Sequence, residues 1–139
     1  MTHKKRIVLV EDNPGDVILV RESLSSAGIE NDLVCFADLP QALDALPQLE
    51  GAMPDAVLLD LSLTRGDGLT FLQEMRASPA LHHVPVIILT SSASKADREA
   101  AARAGANAFV PKPTQLDDFL DQVGRAVKAV FKQTAAGAC

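Results

Sequence analysis

Residues 6–16 read RIVLVEDNPGD, and this stretch decides the fold. The run Ile7 to Val10 is apolar at consecutive positions, so it has no solvent face. Such a run suits a central parallel strand covered by helices on both sides, whereas a sandwich strand would alternate. Glu11 and Asp12 stop the run. Asn13, Pro14 and Asp16 then open a helix, with Asn13 as its N-cap, proline in the first turn and an acid near the positive end of the helix dipole. A short buried strand that ends in two carboxylates and turns into a helix is the first βα unit of an open α/β sheet.

The same pattern recurs along the chain. Apolar runs predict strands over residues 6–10, 32–36, 56–61, 86–90 and 107–110, with helices between them. Asp60 follows AVLL, Thr90 ends VIIL and Lys112 follows AFVP. Glu11, Asp12, Asp60, Thr90 and Lys112 therefore all fall at strand carboxyl ends, the edge of an open α/β sheet where ligands bind. Three carboxylates, a hydroxyl and an ammonium in one crevice suggest a divalent cation and a phosphoryl group.

Helix ends are marked by capping residues. Gly28 stops the first helix, and Asp38 with Pro40 begins a second whose Leu39, Leu43 and Leu46 share a face. Asp67 and Gly68 open a third, with Leu69, Leu72 and Met75 inward. Ser94 and Asp97 resemble a capping box for a fourth, which Gly105 ends. That helix has few large apolar residues and is a candidate for movement. The fifth spans residues 114–133, with a stripe of Leu116, Phe119, Leu120, Val123, Val127, Val130 and Phe131.

Length and composition exclude several classes. A chain of 139 residues is one domain, here read as residues 1–133 with a short tail over 134–139. Hydrophobic residues make up 47% and charged residues 22%, which describes a globular protein. A net charge of -5 argues against non-specific binding to nucleic acid or anionic membrane. The apolar run after the basic start is too short for a signal peptide or a membrane span, so a cytoplasmic location is expected. Cys35 and Cys139 lack metal-ligand spacing and read as reduced thiols, Cys35 as a small core residue and Cys139 as exposed. His82 and His83 sit in the loop before the fourth strand, away from the crevice.

Taken together, VEDNPGD, LLDLSL with the DG turn after it, ILTSS and KP closely resemble, in order and spacing, the receiver domain of bacterial two-component response regulators. The likeness spans nearly the whole chain. It implies a flavodoxin-like, doubly wound (βα)5 sandwich with a five-stranded parallel sheet of order 2-1-3-4-5. VEDNPGD and the lack of an output domain further resemble single-domain regulators associated with phytochrome-type histidine kinases.

The resemblance also implies roles. Asp60 would be the phosphoacceptor, attacking a phosphohistidine of a sensor histidine kinase. Asp12 and Asp60 would ligate Mg2+ directly, Glu11 would act through water, and the backbone carbonyl of Ser62 would complete the protein ligands. Lys112 and Thr90 would contact the phosphoryl oxygens, with the bond before Pro113 cis. Thr90 and Phe109 would form the switch, although Phe109 reads equally well as a plain core residue. Glu11 and Asp12 read as helix-capping acids too, and the two roles are compatible. Such a protein is not an enzyme in the usual sense: it catalyses phosphotransfer to itself and its own dephosphorylation. Its partners would be the kinase and either a downstream protein or a histidine phosphotransfer protein, without nucleic acid or membrane.

Thr64 departs from the family's usual proline, and Ser62 and Ser92, which occupy lifetime-tuning positions, are too short to reveal a lifetime. Two other classes stand beside this one. A haloacid dehalogenase-like phosphatase needs a second aspartate where Ser62 stands, and a pseudo-receiver that never accepts phosphate would not need the intact acidic set.

The fifth helix carries one more expectation. Its stripe is about 22 Å long, more than one sheet edge needs. Leu116, Phe119, Leu120 and Val123 would seal the sheet, leaving Val127, Val130 and Phe131 as an exposed patch for a homodimer through the fifth helix with the neighbouring fourth helix and fifth strand, unless these residues fold against the same chain.

Overall fold

The computed structural model describes residues 4–45, 53–61, 68–91 and 94–137. Five parallel strands, β1 (Lys5–Val10), β2 (Asn31–Phe36), β3 (Ala56–Leu59), β4 (Val86–Thr90) and β5 (Ala108–Pro111), form one sheet. Their order is β2-β1-β3-β4-β5, the doubly wound arrangement expected. The helices are α1 (Pro14–Ser26), α2 (Leu39–Ala45), α3 (Gly68–Ala77), α4 (Lys95–Arg103) and α5 (Leu116–Gly137). Among the described residues, no helix is long and apolar enough to cross a membrane.

Alternation along the buried strands divides the core into two layers. Val8 and Val10 of β1, Val57 and Leu59 of β3 and Val86 and Ile88 of β4 pack with Leu39, Phe71, Leu72, Met75 and Ala101 from α2, α3 and α4. Ile7, Leu9, Ala56, Leu58, Ile87 and Leu89 face the other way, onto Val20 and Leu24 of α1 and Phe119, Val123, Val127 and Val130 of α5. Both faces of the three central strands are thereby dry, which is why their sequences carry uninterrupted apolar runs.

Side-chain caps open α1 and α4. Asn13 Oδ1 accepts hydrogen bonds from the amides of Gly15 at 2.9 Å and Asp16 at 3.3 Å, and Ser94 Oγ accepts from Asp97 N–H at 3.1 Å. Gly28 and Gly105, at φ of 76° and 102°, take the left-handed conformation that ends α1 and α4, one open to few residues but glycine. Only Ala101 of α4 is fully buried, so this helix is lightly packed, as its sequence suggested.

Four expectations are corrected. The stripe on α5 leaves no exposed patch: Val127 is 0% and Val130 2% exposed, while Leu116, expected to seal the sheet, is 56% exposed. The cause is α1, which packs along α5 and joins the sheet in covering it; Phe131 is half-buried, with the Lys5 ammonium 5.1 Å from its ring centroid. Buried inside their own chain, Val127 and Val130 offer no apolar patch for pairing. The helix also continues through Gly137 instead of ending at Gln133, consistent with the high helix propensity of the two alanines there. Cys35 is exposed, because β2 is an edge strand with a partner on one side only. The bond before Pro113 is trans, the isomer X–Pro bonds normally favour. Expectations on Asp67, Ser62, Thr64, Ser92, Cys139 and the side chains of Leu43 and Leu46 fall outside the described residues.

Candidate phosphoryl and metal site

The parallel register delivers the site residues to one edge. Val10 pairs with Leu59, Leu59 with Ile88, and Ile88 with Phe109, so the residues that follow leave the sheet side by side. Glu11 and Asp60 come one step beyond β1 and β3. Thr90 closes β4, and its carbonyl accepts the Lys112 amide N–H at 2.8 Å. This bond ties the chain after β5 to β4 and brings Lys112 over the carboxylates without a cis turn.

The side chains then converge. Lys112 Nζ donates to Glu11 Oε2 at 2.7 Å, to Asp16 Oδ2 at 2.7 Å and to Asp60 Oδ2 at 3.0 Å. Glu11 and Asp60 are each 3% exposed, and Thr90 is fully buried. Carboxylate oxygens of Glu11, Asp12 and Asp60 lie within 4.8 Å of one another, with Asp12 on the exposed side. Three hard oxygen donors that close, with an open flank for water, suit a magnesium-sized cation. Every predicted site residue except Ser62, which lies outside the described residues, thus reaches this edge. Phe109 stands beside it on β5, half-buried, with the Arg98 guanidinium of α4 5.1 Å from its ring centroid.

Asp16 is the residue that sequence reasoning missed. Its place in the first turn of α1 marks it only as a helix-start acid, but it is also a direct partner of Lys112. No local pattern marks this role, since Lys112 lies 96 residues further along the chain. His82 and His83 pack edge to face in the loop before β4, at the opposite end of the sheet.

Electrostatics follow from burial. Burial raises the Glu11 carboxyl most; the Lys112 hydrogen bond pulls it back, the Asp60 charge pushes it further, and it settles at about 7. Burial alone would lower Lys112, yet its hydrogen bonds to Asp16, Glu11 and Asp60 outweigh that and hold the ammonium well above the usual lysine range.

A pH dependence follows for the metal-free protein. A carboxyl raised from 4.5 to about 7 binds its proton more tightly folded than unfolded, so its contribution to stability is fully present below 4.5. That contribution is lost as pH rises through 7. In chelator, the melting temperature of wild type relative to Glu11→Gln should fall by several degrees between pH 5 and 7.5, at roughly 3 °C per kcal/mol. Parallel curves for the two proteins would contradict this account of Glu11.

Comparison with known proteins agrees with the geometry. The sequence model of the family described as "Response regulator receiver domain" matches residues 7–124. The chain belongs to the response regulator receiver family. Response regulator Rcp1 of Synechocystis sp. is 33% identical to this receiver over 123 residues, covering 86% of this chain and 84% of that protein. Among solved structures, the phosphorylated cyanobacterial phytochrome response regulator RcpA superposes with a TM-score of 0.82 at 30% identity, covering 89% of this chain and 91% of that one. The Mn(2+)-bound form of Rcp1 gives 0.77 at 34% identity, over 86% and 89%.

Proposed function

We propose that this receiver accepts a phosphoryl group from the phosphohistidine of a sensor histidine kinase onto Asp60. The observation that carries the reading is Lys112 Nζ at 3.0 Å from Asp60 Oδ2, with the oxygens of Glu11 and Asp12 on hand to share a cation. In the transfer, an Asp60 oxygen forms the new P–O bond as the N–P bond of the phosphohistidine breaks. Asp12 and Asp60 would hold Mg2+ directly, and Glu11 through water, with the Ser62 carbonyl as a further ligand. When bound, the cation offsets the charge that carboxylates and phosphoryl oxygens bring together. Lys112, bonded to Asp60 Oδ2, would supply a fixed positive charge to the phosphoryl oxygens, and Thr90 a hydroxyl for one of them. Transfer of a loose, metaphosphate-like group needs such positioning more than covalent help. The same groups would serve the receiver's own dephosphorylation.

The switch we assign is Thr90 with Phe109. Phosphorylation draws Thr90 toward the phosphoryl group, and Phe109, half-buried beneath Arg98, repacks against β4 and α4. Because α4 is lightly held, its surface is the part that changes for a downstream protein or a histidine phosphotransfer protein. A phytochrome-type kinase in the cytoplasm is the input we favour, on the likeness to RcpA and Rcp1. Comparison of phosphotransfer rates from candidate kinases would test that assignment.

The core reading has a direct test. With Mg2+, a small phosphodonor should label wild type stoichiometrically, and Asp60→Asn should take no label. Undiminished labelling of that variant, or full labelling in excess chelator, would overturn the assignment. A wild type that takes no label would leave a binding module that works without phosphate.

A further inference from the structure

We propose that Asp16 is a positioning residue that holds Lys112 between phosphorylation events and weakens the site's grip on a phosphoryl group. The inference rests on Asp60 being the phosphoacceptor, and it concerns a residue outside the carboxylate set assigned to the cation.

An ammonium has three N–H donors and no more. All three are taken, by Glu11 Oε2 at 2.7 Å, Asp16 Oδ2 at 2.7 Å and Asp60 Oδ2 at 3.0 Å. The bond to Asp16 is shorter than the bond to the phosphoacceptor. Asp16 is not needed there as a cap, because Asn13 Oδ1 already accepts the first free amides of α1. Nor do its oxygens belong to the group within 4.8 Å that could share a metal ion; among the described residues that group is Glu11, Asp12 and Asp60. The contact of Asp16 with the site therefore runs through Lys112.

Two consequences follow for a phosphoryl group on Asp60. With Glu11 and Asp16 each keeping a donor, Lys112 can offer the phosphoryl oxygens only one. In addition, Asp16 Oδ2 and Asp60 Oδ2 touch the same nitrogen, so they lie under about 6 Å apart, and the Asp16 charge opposes the arriving dianion. Asp16 should thus act in opposite directions on the two ligands. Its negative charge favours a cation nearby and disfavours the phosphoryl group, whereas a residue that merely supports the fold would weaken both.

The experiment uses the full chain with Mg2+ alone, and then with beryllofluoride at saturating Mg2+ as the phosphoryl mimic. Asp16→Asn keeps the shape and removes the charge. It should bind beryllofluoride roughly threefold to tenfold more tightly and Mg2+ about twofold more weakly. Asp16→Glu, which restores the charge, should return both affinities toward wild type. Should Asp16→Asn fold poorly, Asp16→Ser carries the same expectation. Unchanged or weaker beryllofluoride binding in the neutral variants, with wild type binding normally, overturns the role of Asp16 and leaves the phosphoacceptor reading intact. So does an Asp16→Glu that behaves like Asp16→Asn. A wild type that takes no beryllofluoride removes both.

Discussion

Lys112→Met is expected to unfold more easily by about 3 kcal/mol at pH 7.5 in chelator, and to recover most of that loss when millimolar Mg2+ is added. The lysine is the counter-ion of two carboxylates, Glu11 and Asp60, that are each only 3% exposed, and it bonds the partly exposed Asp16 as well. Removing one partner of a buried ionic cluster leaves uncompensated charge, which typically costs about 3–5 kcal/mol. Protonation limits the penalty, because a carboxyl that cannot stay charged takes up a proton instead. The deficit should therefore shrink as pH falls toward 5. Mg2+ restores stability by binding the folded form alone, in proportion to the logarithm of its concentration over its dissociation constant. Denaturant titrations with and without the cation check both parts. A variant as stable as wild type in chelator would mean that the cluster is not held by Lys112, and one that Mg2+ cannot rescue would place the cation elsewhere.

Gly124→Ala should also be costly, by about 2–3 kcal/mol, although alanine is the better helix former by about 1 kcal/mol. A Cβ at this position would lie 2.6 Å from the Ser23 backbone oxygen and 2.7 Å from Ala27 Cβ, closer than van der Waals contact allows. The backbone there cannot yield cheaply. Ser23 Oγ accepts the Gly124 amide at 2.8 Å and donates to the Leu120 carbonyl at 2.6 Å, a buried bridge that locks α1 to α5 at one height. Forcing the helices apart would strain those bonds and loosen Val20, Leu24, Val123 and Val127 together. Thermal melts should show a drop of roughly 5–10 °C. Ala27→Gly in the same chain should recover only part of it, since the clash with the Ser23 oxygen remains. A drop of less than 2 °C in Gly124→Ala would show that the two helices separate freely.

Both predictions rest on features that differ in how far the sequence reveals them. Glu11, Asp12, Asp60, Thr90 and Lys112 were legible because each terminates or follows a buried apolar run, and a parallel sheet aligns its carboxyl ends. Asp16 was harder to see, since an acid in a first helical turn already has a sufficient local reason to be there. Gly124 had no local signal at all. A glycine inside a helix looks like a propensity defect until the neighbouring helix is known to pass against it.

The α5 stripe shows the same limit from the other side. Its helical period is a local property, set by 3.6 residues per turn, and the sequence alone determined that one face of α5 is buried. What covers that face is a tertiary matter, because burial depends on a neighbour about a hundred residues away in the chain. The site edge was in the same way determined by the sequence, through runs of buried residues punctuated by acids, threonine and lysine, whereas the strand order was implied only by the likeness to receiver domains. The sharing of Lys112 among three carboxylates, the seat of α5 on α1 and the exposure of Cys35 on the edge strand were decided only by the folded structure, since each depends on distances between segments that no local pattern encodes.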